Sequence, residues 1–123
     1  MVSVPRVKTA LVTGAAKGIG RAIALKLARE GYSIALHYRA SSDEAFAVKL
    51  EIEALGVRAV TLSADLRDSS EAQTLVSSAH EQLGGLGVLV NNVGNYVRKP
   101  LAELTVIDWH EMLDSNLNAA FYT

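Results

Sequence analysis

The residues best suited to chemistry form a glycine-rich segment near the start of the sequence, Thr13-Gly14-Ala15-Ala16-Lys17-Gly18-Ile19-Gly20. It follows the apolar run Val7–Val12 and opens a helical pattern that continues to Glu30. Where a strand enters a turn and a helix leaves it, unpaired backbone N–H groups and the positive end of the helix dipole converge on one point. The segment therefore predicts a phosphate-binding turn, with a plain tight connection as the alternative interpretation.

The three glycines of this segment have the spacing G-x-x-x-G-x-G, which differs from the commoner G-x-G-x-x-G. We expect Gly14 to permit the sharp turn and Gly18 to let a pyrophosphate approach bare backbone. Gly20 is expected to let the helix pack closely on the strand. Each glycine thus serves a different part of one anion site.

A second group of residues, His37-Tyr38-Arg39-Ala40-Ser41, follows the next apolar run. In dinucleotide-binding folds an acidic residue near this place binds the ribose hydroxyls, but here the first carboxylate is Asp43. The guanidinium of Arg39 instead suits a 2′-phosphate, and Lys17 and Ser41 add a charge and a donor. These residues favour NADP(H) over NAD(H), although each cation alone is also compatible with an ordinary solvated charge. The histidine of the group is expected to line the adenosine pocket, and we assign the neighbouring tyrosine to the same site.

Composition limits the class of protein. The chain has 123 residues, half of them hydrophobic, which suits one packed domain. Twelve basic residues stand against thirteen acidic ones without a basic strip, so nucleic acid and anionic membranes are unexpected partners. There is no cysteine, no apolar run near the roughly 18 residues of a membrane span, and Met1–Arg6 is too short and polar for a secretory signal. We expect a cytoplasmic protein without a metal site, since His80 and His110 lack partners in ligand geometry.

Apolar runs alternate with amphipathic segments along the whole chain in a βαβαβαβ pattern. The runs are nearly continuous, as is typical of parallel strands that are covered on both faces. Right-handed crossovers then predict an α/β fold, a Rossmann-type doubly wound parallel sheet with strand order 3-2-1-4. The predicted strands are Val7–Thr13, Ser33–Arg39, Arg58–Ser63 and Gly87–Asn92, and the apolar stripes of the helices run over Ile19–Leu27, Ala45–Leu55 and Ala72–Leu83.

Two helix starts carry capping-box patterns, Asp68-x-x-Glu71 before the third helix and Thr105-x-x-Asp108 before the fourth. The aromatic residues of the fourth helix, Trp109 and Phe121, are expected in the core, with a subunit contact as the alternative. Because the chain stops at Thr123 within helical periodicity and leaves an apolar strand at the sheet edge, we expect the fold to be cut within this helix. The face predicted to be buried comprises Val106, Trp109, Leu113, Leu117 and Ala120.

Four landmarks in order make the whole chain resemble the N-terminal half of the short-chain dehydrogenase/reductase family, in its so-called classical type. They are the glycine motif Thr13–Gly20, Asp65 after the third strand, the segment Asn91-Asn92-Val93-Gly94 after the fourth, and Asn116 on the last helix. One position departs from the family pattern, because Val93 stands where the family has alanine. The resemblance implies that residues 1–123 are the NADP(H)-binding Rossmann portion of one larger domain.

The resemblance also implies roles at the strand ends. It places Asp65 at the adenine, with Ala64 and Leu66 beside it, and a hydrogen bond to the adenine amino group suits the carboxyl end of a strand. A turn or cap aspartate is the alternative. Asn92, Val93 and Gly94 are assigned to the cofactor by the same resemblance, whereas Asn91 is also compatible with a tie between adjacent strand ends.

Asn116 is implied as a catalytic residue that helps to hold a lysine through water. It falls on the predicted apolar face of its helix, where an unpaired amide would cost about 1–3 kcal/mol, so we expect a hydrogen-bond partner for it. The alternative is a core polar group that is merely satisfied by its neighbours.

Members of this family reduce a carbonyl by hydride transfer from the nicotinamide while a tyrosine donates the proton, a serine orients the carbonyl oxygen, and a lysine four residues after the tyrosine lowers its pKa. None of the four tyrosines here has that lysine: the residues at that distance are Leu36 after Tyr32, Ser42 after Tyr38 and Pro100 after Tyr96, and for Tyr122 the position lies past the end of the sequence. We therefore expect the proton donor to lie outside these 123 residues.

The expected function is that of an NADP-dependent oxidoreductase which acts on a small-molecule ketone or alcohol and is homo-oligomeric at full length. A generic ketone is the first expectation for the substrate, ahead of a ketoacyl thioester or a pteridine. This chain alone is expected to be inactive. Two alternatives remain open, a non-catalytic module that binds or senses NADP(H), and a fragment that is active only when another chain complements it.

Overall fold

Four parallel β-strands form the centre of the chain. A computed structural model describes residues 7–95 and 98–123, so Met1–Arg6 and Tyr96, on which two expectations rest, lie outside the described residues. The strands are β1 (Thr9–Val12), β2 (Ser33–Tyr38), β3 (Ala59–Ser63) and β4 (Val88–Val90), paired in the order β3-β2-β1-β4. The α/β class, the Rossmann-type topology and the strand order 3-2-1-4 are confirmed.

Helices cover both faces of this sheet. Alternate residues of β1 show the division, since Ala10 and Val12 pack with the first two helices while Leu11 packs with the third. Burial on both faces explains why the strand sequences are apolar without a break. The three helices are α1 (Gly18–Arg29), α2 (Ser42–Glu53) and α3 (Ser69–Leu83).

Helix α1 buries residues that lie next to its predicted stripe. Ala24, Leu25 and Ala28 are buried, whereas Ile23 and Leu27 pack at the edge of the core. Ile19, at the start of the stripe, is 73% exposed. It lies in the first turn of α1, next to the glycine turn. The expectation that Ile19 belongs to the buried stripe is therefore wrong.

Gly20 is the point at which α1 comes closest to the glycine turn. A Cβ atom built on Gly20 would overlap the carbonyl oxygen of Gly14 and crowd the side-chain amide of Asn92. Gly18 differs, because the space around it is open and its φ of +57° is what favours glycine there. Gly20 therefore permits α1 to approach the glycine turn closely, whereas Gly18 permits the left-handed backbone conformation at its own position.

The two predicted capping boxes differ in the structure. Thr105 and Asp108 form a complete box, in which the Asp108 N–H donates to Thr105 Oγ1 at 3.1 Å and the Thr105 N–H donates to Asp108 Oδ2 at 3.0 Å. Asp68 accepts from the N–H groups of Ser70 and Glu71, but the Glu71 carboxylate turns away and accepts from the backbone N–H of Asp65. Only half of the Asp68–Glu71 box therefore forms, because the Glu71 side chain instead binds the segment after β3.

The predicted fourth helix consists of three successive elements: α4 (Val106–Met112), a π-helical turn (Leu113–Asn118) and α5 (Ala119–Tyr122). Ser115 and Asn116 explain the irregularity, since their side chains donate to the carbonyl groups of Glu111 and Met112 and so compete with the regular helical pattern. The wider π turn changes the direction in which later residues point.

The face of this helix that was expected to be buried is largely exposed. Ser115 and Ala119 are the buried residues, and Ala119 packs with α3. The prediction that Trp109 and Phe121 lie in the core is wrong, because 59% of Trp109 and 83% of Phe121 are exposed. Small residues let the helix approach its neighbour, so the large apolar side chains lie on the other side. The exposed members of the predicted face are Val106, Trp109, Leu117 and Ala120.

Replacing Gly20 by alanine should destabilise the protein more than replacing Gly18. We expect Gly20→Ala to lower the free energy of unfolding by about 3 kcal/mol, because the new methyl group meets backbone. Gly18→Ala should cost about 1–2 kcal/mol, because only the left-handed conformation is strained. Urea unfolding measures both losses of stability. The measurement uses the protein at the length at which it naturally occurs, called the natural-length protein below. Equal losses would contradict the close approach at Gly20.

Candidate functional site

The glycine turn is held at both sides by the neighbouring strands. On one side the Ala15 N–H donates to the His37 carbonyl at 2.9 Å, and on the other the Thr13 N–H donates to the Val90 carbonyl at 3.0 Å. The Thr13 side chain is fully buried, and its hydroxyl accepts from the N–H groups of Asn92 and Val93 at 2.8 and 3.2 Å. Thr13 therefore shapes the site by joining the turn to the segment after β4.

The residues after β4 also contact the turn. Asn92 donates from its side-chain amide to the Gly14 carbonyl at 3.2 Å, so it ties the ends of β1 and β4 together. This is the role that the sequence suggested for Asn91, whose Oδ1 instead accepts from the Thr123 hydroxyl at 2.7 Å. The position of the tie was therefore predicted one residue too early.

His37 connects the glycine turn to the end of β3. Its side chain is 2% exposed, Nδ1 accepts from the Gly14 N–H at 3.0 Å, and Nε2 lies 2.8 Å from the Ala64 carbonyl. The neutral tautomer with hydrogen on Nε2 satisfies both contacts. Burial lowers the pKa of His37 from its ordinary value, against the opposing effects of the Ala64 carbonyl and the Asp65 carboxylate. The imidazole is thus held neutral as a bridge between two walls of the site.

A cavity of about 250 Å³, called the first recess below, lies beside the turn at the carboxyl ends of the strands. Most of the strand-end residues predicted for the cofactor meet here, which is where open α/β sheets bind ligands. Its lining also includes residues that sequence reasoning missed, Arg67, Asn95, Glu111, Ser115 and Ala119. The predicted residues in the lining are Gly14, His37, Arg39, Ala64, Asp65, Leu66, Val93 and Gly94.

Charged side chains of the first recess form a connected cluster. Asp65 accepts from Nε and Nη2 of Arg67 at 3.0 and 2.8 Å, and Arg67 donates from Nη1 to both oxygens of Glu111 at 2.9 and 3.0 Å. Arg39 lies further away, with Nη2 3.8 Å from Asp65 Oδ2. The hydrogen bond from Arg67 is the main reason why the pKa of Asp65 falls to about 2. The one sequence signal for this cluster was the opposite charge of Asp65 and Arg67 two positions apart.

A second recess, also of about 250 Å³, lies beside the glycine turn. Arg39 and Gly14 line both recesses, and the Arg39 side chain is 62% exposed. Lys17, Tyr38 and Ser41 line the second recess with Ala16 and Ala40. The structure thus brings together the cation pair and the hydroxyl that the sequence had grouped, and none of the described lining residues of this recess is acidic.

Asn116 lies at the π-helical turn and close to the segment after β4. The expectation that it occupies a buried apolar face is wrong, because the residue is exposed. Its amide nitrogen nevertheless has partners, donating to the Met112 carbonyl at 2.9 Å and to the Asn95 carbonyl. Gly94 makes this approach possible, because a Cβ there would overlap Asn116 Oδ1. Asn116 therefore links the last helix to the edge of the site.

Within the described ranges 7–95 and 98–123, no group of three or more histidine, aspartate or glutamate side chains could hold a metal ion. No helix there is long and apolar enough to cross a membrane.

Comparisons with known proteins identify the class. The family model described as short chain dehydrogenase matches residues 8–123, so the chain belongs to the short-chain dehydrogenase family. The 3-oxoacyl-(acyl-carrier-protein) reductase FabG of Staphylococcus aureus is 42% identical over 93% of this chain and 46% of that protein. The chain spans about half the length of the curated relatives it matches.

Solved structures agree with this class. A dehydrogenase/reductase from Sinorhizobium meliloti superposes with a TM-score of 0.91 at 45% identity, over 94% of this chain and 46% of that one. A short chain dehydrogenase from Burkholderia cenocepacia, described as in complex with NADP, has a TM-score of 0.91 at 41% identity, over 96% of this chain and 49% of that one. The architecture is thus shared with oxidoreductases, one of which was solved with a bound dinucleotide.

The buried His37 predicts a loss of stability in mild acid. Its folded-state pKa lies below the unfolded value of about 6.5, so the unfolded chain takes up the proton first. The contribution of His37 should be complete above pH ~6.5 and decline as the pH falls, by at most about 1.4 kcal/mol per pH unit. Urea unfolding of the natural-length protein between pH 7.5 and 5, compared with His37→Gln, measures this difference as an order-of-magnitude effect.

The exposed His80 supplies the matched control for the substitution, because His80→Gln replaces an imidazole that is not buried. At pH 7.5, His37→Phe should lose about 1–3 kcal/mol, because the Gly14 N–H is left without an acceptor. If the stabilities of the unmodified protein and of His37→Gln changed in parallel with pH, the pKa of His37 would be the same in the folded and unfolded states, which would contradict the prediction.

Proposed function

We propose that this chain binds NADP(H) along the glycine turn, with the pyrophosphate at Gly14–Gly20, the adenine in the first recess and the 2′-phosphate in the second. The observation that carries the proposal is the second recess, where Lys17, Arg39 and Ser41 meet and no acidic side chain lines the wall among the described residues. An NAD-specific site needs an acidic group for the ribose hydroxyls at this place, and a guanidinium suits a phosphate better.

The position of Arg39 supports this division of the ligand. It lines both recesses, so one guanidinium lies between the proposed adenine and the proposed 2′-phosphate. Its weak contact with Asp65, at 3.8 Å, leaves its donors available for a phosphate. Lys17 begins α1 as its N-cap residue, where the helix dipole also favours an anion. The Burkholderia relative described in complex with NADP supports the choice of cofactor.

The proposed reaction is reversible hydride transfer between the bound nicotinamide and a small ketone or alcohol. In the roles we propose, Gly94 lets the cofactor ribose approach, Asn92 and Val93 shape the wall beside it, and Asn116 contributes to the catalytic centre by positioning. Among the described residues Asn116 already holds the segment after β4 through its bond to the Asn95 carbonyl. The proton donor, with its serine and lysine, is proposed to lie in sequence outside these 123 residues.

We also propose a cytoplasmic homo-oligomer. Val106, Trp109 and Phe121 support the association, because they are large apolar side chains that are 59–83% exposed, and exposed apolar surface is typical of contact sites. The lack of cysteine in the sequence is consistent with a reducing compartment. Neither property enters the binding proposal.

Arg39→Glu should weaken the binding of NADPH much more than the binding of NADH. We expect the Kd for NADPH to rise about 10- to 100-fold, since charge-assisted hydrogen bonds to the 2′-phosphate are lost, while the Kd for NADH changes by about threefold or less. Fluorescence titration of the natural-length protein with both cofactors measures this, and Arg29→Glu, on the exposed end of α1, is the control for the charge change. Equal weakening of both cofactors would remove Arg39 from the phosphate site.

The site also predicts where turnover is found. The natural-length protein should oxidise NADPH in the presence of a ketone such as a 3-oxoacyl thioester, because it would include a proton donor. The 123-residue chain should show no oxidation above background under the same conditions. Absorbance at the NADPH band follows both reactions. Ketone-dependent oxidation by the 123 residues at an enzyme-like rate would contradict the proposed division, and binding without turnover at natural length would favour a sensing role.

A further inference from the structure

Arg67 occupies a place between two carboxylates that no other cation in the described part of the chain shares. On one side its Nε and Nη2 donate to the two oxygens of Asp65, and its backbone N–H donates to Asp65 Oδ1 at 3.1 Å. On the other side Nη1 bonds both oxygens of Glu111. The guanidinium therefore joins the segment after β3 to helix α4, across 44 residues of sequence.

The planar guanidinium fixes the plane of the Asp65 carboxylate, because contact at two points allows one orientation only. A carboxylate oxygen accepts more than one hydrogen bond, so Asp65 keeps acceptor capacity for a ligand amino group. The backbone of the same residue is held as well, because the Asp65 N–H donates to the Glu71 carboxylate. Both the main chain and the side chain of Asp65 are thus set before a ligand arrives.

We propose that Arg67 is a positioning residue for base recognition: it holds Asp65 in the orientation that accepts from the adenine amino group and anchors that orientation to α4 through Glu111. The inference rests on the proposed NADP(H) site. In this role Arg67 contacts neither the reacting atoms nor the base. It nevertheless decides how well the first recess distinguishes adenine from a base without the amino group. A two-point donor is needed, so lysine cannot replace it.

The test uses two ratios measured on the natural-length protein. The base ratio compares the Kd for NADPH with that for its deaminated analogue, in which hypoxanthine replaces adenine and an oxygen replaces the amino group. The phosphate ratio compares NADPH with NADH. We expect the unmodified protein to prefer NADPH about tenfold or more over the analogue, as for loss of a hydrogen bond to a charged group.

Arg67→Met, which keeps the aliphatic stem, should reduce the base ratio to about two or less while the phosphate ratio changes by about twofold at most. Arg67→Lys should reduce the base ratio in the same way. Arg21→Met is the matched control, because Arg21 makes an equivalent two-oxygen contact with Glu51 at 2.8 and 2.9 Å away from both recesses. This control should leave both ratios unchanged.

The outcomes separate the claims. The positioning role is overturned if Arg67→Met or Arg67→Lys keeps the base ratio of the unmodified protein. It is also overturned if Arg67→Met lowers the base ratio and the phosphate ratio in parallel. An unmodified protein without a base preference overturns it too, although the phosphate ratio can still support the proposed cofactor. If the methionine variant does not fold, Arg67→Lys decides by the same ratios. An unmodified protein that binds neither NADPH nor NADH instead refutes the proposed function itself.

Discussion

The whole site depends on how the backbone of one residue, Gly14, is held. Its N–H donates to a buried imidazole on β2, and its carbonyl accepts from the Asn92 amide after β4. The lack of a side chain on Gly20 lets α1 come up against the same carbonyl. Two strands and a helix thereby fix the turn before any anion binds. A preformed turn loses less conformational freedom on binding than a flexible loop would, which favours affinity.

The two recesses beside this turn differ in charge. In the first recess Asp65 and Glu111 balance Arg67 and Arg39, so the lining as a whole carries little net charge and suits a heterocyclic base. In the second recess Lys17 and Arg39 have no acidic counterpart among the described lining residues, which suits a phosphate. Arg39 lines both recesses, so one side chain separates the proposed site of the base from the proposed site of the phosphate.

The sequence predicted the strand order because continuous apolar runs separated by amphipathic segments leave few right-handed arrangements. It also predicted most of the strand-end residues that line the first recess, since the carboxyl ends of parallel strands meet at one edge of the sheet. It did not predict that Trp109 and Phe121 are exposed, because the π turn at Ser115 and Asn116 depends on side-chain bonds that periodicity does not register. The pairing of Arg67 with Glu111 was equally hidden, as only the folded chain brings residues 44 positions apart together.

The most direct test of the account is a crystal structure of the natural-length protein with NADP⁺. The account predicts the 2′-phosphate within hydrogen-bond distance of the Arg39 guanidinium and of Lys17 or Ser41, and the adenine amino group at the Asp65 carboxylate. It predicts the pyrophosphate against the backbone of Gly14–Gly20. A 2′-phosphate that points into solvent away from Arg39, or an adenine outside the first recess, would contradict it.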